Sequence, residues 1–260
     1  MGKDDLDCVM RAYETANDPV VLPSVWPVVR LDGRAFHQVT ARPDLAFEQP
    51  FDVRFRDAMI ATAHHLMDCG FRALYAHTHS DEISLLLHRE DATFGRRVRK
   101  ILSVLAGEAS AWFSLQLGHL AAFDARISQL PTADLVVQYF RWRQDDAHRN
   151  ALHGHCFWTL RREGASVEEA TARLVGATVA DQNELLFQRG INFNDLPAWQ
   201  RRGVGVYWQA YTKMGVDPRT GQEAPAQRRR LYTDLNLPLG EAYAALIRQR
   251  LESGEEDEHA

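Results

Sequence analysis

Asp32 closes a β-branched run, Val25-Trp26-Pro27-Val28-Val29-Arg30-Leu31, and Asp81-Glu82 stands in a polar turn between two further runs, 71–77 and 83–87. If those strand ends are neighbours, two carboxylates face one point. Such a pair suits Mg²⁺ better than His or Cys would, and can hold two ions about 3.5–4 Å apart, one activating a hydroxyl and one stabilising a phosphate leaving group. Asp also favours turns because its side chain bonds nearby backbone, so spacing alone leaves a purely structural role open. Arg96, Arg97 and Lys100 fall within one helical turn beside Val98, Ile101 and Leu105, where they would either neutralise a triphosphate or form a solvated helix face. His148, His153, His155 and Cys156 suggest zinc only weakly, since no second cysteine pair accompanies them. Phosphate-loop, nucleophile-elbow and dinucleotide fingerprints are missing, which sets aside the common kinase, hydrolase and dehydrogenase chemistries.

The elements that must position these groups follow from periodicity. From Phe51, apolar residues at Phe55, Met59, Ala63, Leu66 and Met67 recur every three or four positions up to Gly70, which predicts an amphipathic helix. Residues 71–87 predict a hairpin, Phe94 to Ala109 a second helix, and Phe123-Asp124-Ala125-Arg126-Ile127 a further strand. The order β-α-ββ-α-β is a split βαβ pattern, whose economical fold is an antiparallel sheet with helices on one face. Beyond it, 132–190 is mainly helical, with a capping box at Ser166-Val167-Glu168-Glu169. We expect one α+β domain over 1–251, a core at about 25–130 and a mainly helical C-terminal elaboration at about 131–250, followed by a disordered acidic tail at 252–260.

Composition narrows the class. Of 260 residues, 25% are charged and 45% apolar, which is ordinary for a globular chain and excludes bulk disorder. No run approaches a bilayer span and no signal peptide opens the chain, so a cytoplasmic protein without membrane contact is expected. Cys8, Cys69 and Cys156 are expected to be free thiols. The formal charge of −5 is matched by Glu252, Glu255, Glu256, Asp257 and Glu258 alone, so the body is neutral. Within it the clusters 96–100, 161–162, 201–202 and 228–230 are locally basic, which keeps an anionic partner such as nucleotide or RNA open.

At these residues a resemblance becomes specific. Arg30-Leu31-Asp32-Gly33-Arg34-Ala35-Phe36-His37, His79-Ser80-Asp81-Glu82-Ile83-Ser84 and Phe94-Gly95-Arg96-Arg97-Val98-Arg99-Lys100-Ile101-Leu102-Ser103 resemble, in order, motifs of the tRNA-His guanylyltransferase family. The likeness continues through Phe123-Asp124-Ala125-Arg126, residues 139–150 and Gly190-Ile191-Asn192-Phe193-Asn194, covering about residues 25–240. It implies a fold like the palm of polymerases and nucleotide cyclases, and nucleotide addition to tRNA 5′ ends in the 3′ to 5′ direction, the 5′-monophosphate being activated with ATP or GTP and then attacked by the 3′-hydroxyl of an incoming nucleotide. Carried over, Asp32, the Gly33 carbonyl and Asp81 would hold two Mg²⁺ with Glu82 supporting them. Backbone amides of Arg34, Ala35, Phe36 and His37, with Ser80, Arg97 and Lys100, would hold the nucleotide, and Arg126, His148 and Asn150 would face RNA. The resemblance also implies a homotetramer.

One departure bears on substrate. Where the eukaryotic enzymes have His-Ile-Asn-Asn-Leu-Tyr-Asn, this chain has His148-Arg149-Asn150-Ala151-Leu152-His153-Gly154. That pattern is more similar to the bacterial and archaeal guanylyltransferase-like proteins, which implies template-dependent repair of truncated tRNA 5′ ends instead of dedicated addition of one untemplated G. A nucleotide cyclase would share the carboxylates, but the hairpin lacks Gly-Gly-Asp-Glu-Phe and a minimal cyclase has no use for residues 132–240. A non-enzymatic RNA-binding module would have no need of Asp32 with Asp81.

Overall fold

A computed structural model describes residues 3–216 and 222–256. Helix α1 (Lys3–Thr15), which the periodicity did not announce, lies outside the core with Leu6, Val9, Met10 and Tyr13 exposed. After it come β1 (Trp26–Gly33), a short α2 (Phe36–Thr40), α3 (Val53–Met67), β2 (Ala73–His79), β3 (Glu82–Leu87), α4 (Val98–Leu117) and β4 (Phe123–Leu130). Apart from α2 this is the expected β-α-ββ-α-β order. Asp52 caps α3 by accepting a bond from the Arg54 amide, and Gly118, at φ 71°, ends α4 in the left-handed conformation that glycine tolerates best.

The C-terminal part supplies α5 (Ala133–Arg162), α6 (Val167–Leu174), α7 (Val179–Phe187), α8 (Ala198–Arg202), β5 (Val204–Val216), β6 (Glu223–Asp234) and α9 (Gly240–Glu256). The capping box at Ser166 and Glu169 is present at the start of α6. All six strands join one antiparallel sheet in the order β4-β1-β3-β2-β5-β6.

Three expectations are corrected. Helices cover both faces of the sheet, not one. Val29, Leu31, Ile83, Leu85 and Val206 lie under α3 and α4, whereas Val28, Tyr75, Leu86 and Tyr207 lie under α5 and α9. The physical reason is that a strand buried on both faces needs apolar side chains at every position, and Val28-Val29 and Leu85-Leu86-Leu87 are such unbroken runs. The elaboration is not mainly helical throughout, because the long strands β5 and β6 extend the sheet. Finally, α9 runs through residues 252–256 of the expected tail: its apolar face keeps Tyr243, Ile247 and Leu251 buried, and Gly254 packs so closely on the sheet that a Cβ there would lie 2.7 Å from Leu74. Residues 257–260 lie outside the described part.

Where α8 meets β5, Gly203 has φ 78°, and a Cβ there would come within 2.4 Å of His77 Nε2 and 2.8 Å of the Thr78 carbonyl. Both the backbone conformation and the close approach require glycine. Gly203→Ala is expected to cost about 2–3 kcal/mol of stability, the scale of one strained backbone residue plus a displaced neighbour, measurable by urea unfolding.

Candidate active site

The antiparallel pairing of β1 with β3 places Asp32 opposite Glu82, and the Gly33 amide donates to the Asp81 carbonyl at 3.0 Å. Asp32 and Asp81 are thus brought together, as the strand ends predicted. The hairpin turn itself is only Ser80-Asp81, with Ser80 at φ 52°, and Ala35 in the loop after β1 sits at φ 58°. Two non-glycine residues in the left-handed region flank the carboxylates, and such strain gathers at functional sites.

Burial first, and then the charge of Asp32, hold the Asp81 carboxyl above its ordinary range, against the Ser80 hydroxyl, which donates to it at 3.1 Å. Asp32 is 37% exposed and meets Arg126 Nη2 at 3.3 Å. Glu82 is engaged differently: it accepts from Arg143 Nε at 2.8 Å and lies 3.6 Å from Arg30. Burial raises its pKa and these two guanidiniums oppose the rise.

Asp32, Asp81 and Glu82 line a cleft of about 650 Å³ between the sheet and α5, together with Arg30, Ser80, Trp142, Arg143, Asp146 and Asn150. Position 142, 146, 150 and 154 recur every four residues, which is why one ridge of α5 forms the opposite wall. Arg143, with its side chain 8% exposed, joins the two walls through Glu82 on β3, and it also donates to Asp146 Oδ2 on its own helix at 2.6 Å, its guanidinium lying 4.4 Å from the Trp142 ring. Sequence reasoning missed Trp142, Arg143 and Asp146. A charge in phase with Val136 and Phe140 on the buried face of α5 was the signal available for Arg143.

The loop after β1 offers backbone donors. Phe36 is anchored in the core among Phe55, Phe113 and Phe123, so only its amide is free to serve a ligand. The Arg34 amide is taken by the Ala122 carbonyl at 2.8 Å, while those of Ala35, Phe36 and His37 have no acceptor among the described residues. A Cβ on Gly33 would lie 2.5 Å from the Phe36 ring, so the tight turn depends on glycine.

Three of the expected site residues lie away from the cleft of their own chain. Arg97 and Lys100 are not beside the carboxylates of the same chain. Helix α4 runs antiparallel to β4, so its C-terminal end lies near Gly33 and its start lies about 25 Å away, where Val20 bridges Arg97 and Asp18 binds Arg99. His148 turns from the cleft to pack on Phe193, since it is two positions, more than half a turn, from the wall residues Asp146 and Asn150. Asn150 stays on the wall and donates to Asp146 Oδ2 at 3.3 Å. Ala151 is buried in the core beneath α6, leaving Gly154 as the altered motif position that faces the cleft.

Among the described residues no group of three His, Cys, Asp or Glu side chains gathers to hold a metal, so neither zinc nor an all-protein cage is built. That suits Mg²⁺, which is held through one or two carboxylates plus substrate phosphates. Asp81, half-buried beside a second carboxylate and without a bonded cation among the described residues, is the kind of group such an ion would satisfy. His77 and His79 are held uncharged. Their Nε2 atoms donate to the Arg202 and Gln200 carbonyls at 2.9 and 2.8 Å, and burial pushes both pKa values down to about 4.

Two family models match the chain: Thg1, described as tRNAHis guanylyltransferase, over residues 7–131, and the Thg1 C-terminal domain over 134–236. A probable tRNA(His) guanylyltransferase of Drosophila melanogaster is 38% identical over 197 residues, covering 72% of this chain and 68% of that protein. The tRNA(His) guanylyltransferase of Debaryomyces hansenii is 34% identical over 244 residues, covering 88% and 90%. A bacterial tRNA(His) guanylyltransferase (Thg1)-like protein in complex with ATP superposes with a TM-score of 0.70 at 28% identity, covering 96% of this chain and 98% of that one, and its GTP complex with 0.68 at 26%. Sheet, cleft and these similarities define a nucleotidyltransferase. The chain belongs to the tRNAHis guanylyltransferase family.

Proposed function

We propose that this chain extends tRNA 5′ ends in the 3′ to 5′ direction on a palm-like sheet, using ATP or GTP for activation and copying the opposite strand of the acceptor stem. The observation that carries this reading is the juxtaposition of Asp32 and Asp81 at paired strand ends, in a cleft wide enough for nucleotide and RNA terminus, in a chain of this family. Asp32, Asp81 and the Gly33 carbonyl would hold Mg²⁺, which when bound supplies positive charge against the phosphates and eases ionisation of the attacking hydroxyl.

The protein's own residues do the positioning. The amides of Ala35, Phe36 and His37 offer donors to phosphate oxygens beside the carboxylates, and the Ser80 hydroxyl could join them by turning from Asp81 to a phosphate once a cation engages that carboxylate. Arg126, on β4 next to Asp32, and Asn150, on the α5 wall, offer donors to the RNA terminus. Glu82 serves indirectly, because its bonds to Arg143 and Arg30 fix the strand that presents Asp81. At the one altered motif position facing the cleft, Gly154 has no side-chain amide with which to support a mismatch, which leaves pairing with the template as the source of base choice. We further propose a cytoplasmic homotetramer. No helix among the described residues is long and apolar enough to cross a membrane.

The test is incubation of the protein with ATP, GTP, Mg²⁺ and a 5′-truncated, 5′-labelled tRNA. A product one nucleotide longer at its 5′ end supports the reading, and an unchanged RNA with cyclised nucleotide would replace it with a cyclase.

A further inference from the structure

Strand β5 pairs with β2 only from Val204 to Tyr207. Beyond that point β5 and β6 continue as a two-stranded ribbon, residues 208–216 against 223–231, reaching about 30 Å past the last β2 pair. The described ribbon carries Lys213, Arg228, Arg229 and Arg230 and one carboxylate, Glu223, in a chain whose residues 1–251 sum to zero charge. Register sorts these side chains. Tyr207 opposes Tyr232, Gln209 opposes Arg230 and Tyr211 opposes Arg228, so Arg228, Arg230 and Lys213 share one face of the ribbon. That face continues the side of the sheet on which Tyr75, Arg30 and Glu82 lie, the side of the active-site cleft. Among the described residues none of Arg228, Arg230 and Lys213 is ion-paired. Arg230 donates only to Gln209 Oε1, at 3.0 Å, and its guanidinium lies 5.6 Å from the Tyr211 ring.

We infer that this face of the ribbon is a binding surface for the phosphate backbone of base-paired RNA, holding a stem whose 5′ end lies in the cleft. The inference rests on the reading that the chain acts on tRNA. Charge complementarity names the occupant: a cationic face without carboxylates between its arginines fits a continuous row of phosphates. Single-stranded RNA would need a row of open aromatic faces for stacking, whereas this face offers two part-open rings, Tyr211 and Tyr232, each 38% exposed, with Arg230 lying 5.6 Å from the first. Along β5 the arginine partner Tyr211 lies about 23 Å from Val204, which adjoins the hairpin bearing Asp81, so the surface meets duplex behind the reacting end and not the end itself.

The test compares the full chain with its Arg228→Gln/Arg230→Gln double variant, reading the anisotropy of a 3′-labelled, 5′-truncated tRNA from 50 to 250 mM KCl, and steady-state addition. The log–log salt slope is expected to be shallower by about 2, near 0.9 per phosphate contact. KM for tRNA is expected to rise about tenfold with kcat kept within twofold, and a blunt RNA duplex should compete better than a single strand of equal length. An unchanged slope and KM would overturn the inference and return the arginines to guarding an exposed strand edge. If the single strand competed better than the duplex, the stem assignment would be overturned. A wild-type chain that bound no RNA at 50 mM KCl would overturn the underlying reading too, which the variant comparison alone does not touch.

Discussion

Asp81→Asn and Asp32→Ala are each expected to lower nucleotide addition about a thousandfold or more while leaving a folded protein, since a metal-holding carboxylate commands several kcal/mol of transition-state stabilisation. Asp81→Asn carries a second signature. Burial and the neighbouring Asp32 raise the Asp81 pKa, so the native state holds that proton more tightly than the unfolded chain does. The favourable contribution is present at low pH and disappears as pH rises through the native value. At neutral pH the buried charge therefore costs stability, and Asp81→Asn should melt above the wild type at pH 7, the two converging as pH falls toward the ordinary value of 3.8. Added Mg²⁺ should raise the wild-type melting temperature and leave that of Asp81→Asn unmoved. Scanning calorimetry at several pH values reads both effects, and a variant with wild-type turnover or an undiminished Mg²⁺ shift would remove Asp81 from the site.

Arg143→Met is expected to be the most destabilising of the single changes in the cleft, by about 3 kcal/mol, because it removes the 8% exposed partner of Glu82, whereas Asp146 keeps Arg149 at 2.9 Å. Arg30, at 3.6 Å, cannot replace the 2.8 Å bond to Glu82. Arg143→Lys should recover only part of the loss, since an ammonium cannot fork between two carboxylates on different elements. The sign with pH is fixed: Glu82 is already raised by burial, and losing Arg143 raises it further, so the defect should shrink as pH falls and Glu82 takes up a proton. Urea unfolding at pH 5 and pH 8 measures this. An equal loss at both values would show that Arg143 acts through packing on Trp142 and not through its charge.

The core topology was legible because periodicity changes at Asp32-Gly33, Gly70 and Pro131, and the carboxylate pair because strand ends in a split βαβ pattern fall together. What was not legible has local causes. Whether a run such as Leu85-Leu86-Leu87 meets one helical layer or two is not written in its apolarity, so the layer of α5 and α9 was missed. Lys100 and Arg97 match a triphosphate motif, but the direction of a 20-residue helix decides which end of the sheet they reach. In β5, Tyr207, Gln209, Tyr211 and Lys213 alternate with Trp208, Ala210 and Thr212 without a clean polar face, which hid a ribbon exposed on both sides. Residues 252–256 are helical despite their acidity because α9 is already docked through Tyr243, Ile247 and Leu251 when it reaches them.

Template-dependent addition is the central claim, and one competition tests it most directly. Equal amounts of a 5′-truncated tRNA facing an unpaired C and a full-length tRNA-His facing A are offered with ATP, GTP and Mg²⁺, and the rate of G addition to each is measured. We predict faster addition to the truncated tRNA, with C to G exchange in the template switching the preferred nucleotide from G to C. Faster addition of G opposite A, unaffected by the template base, would contradict the account and make the chain a dedicated guanylyltransferase.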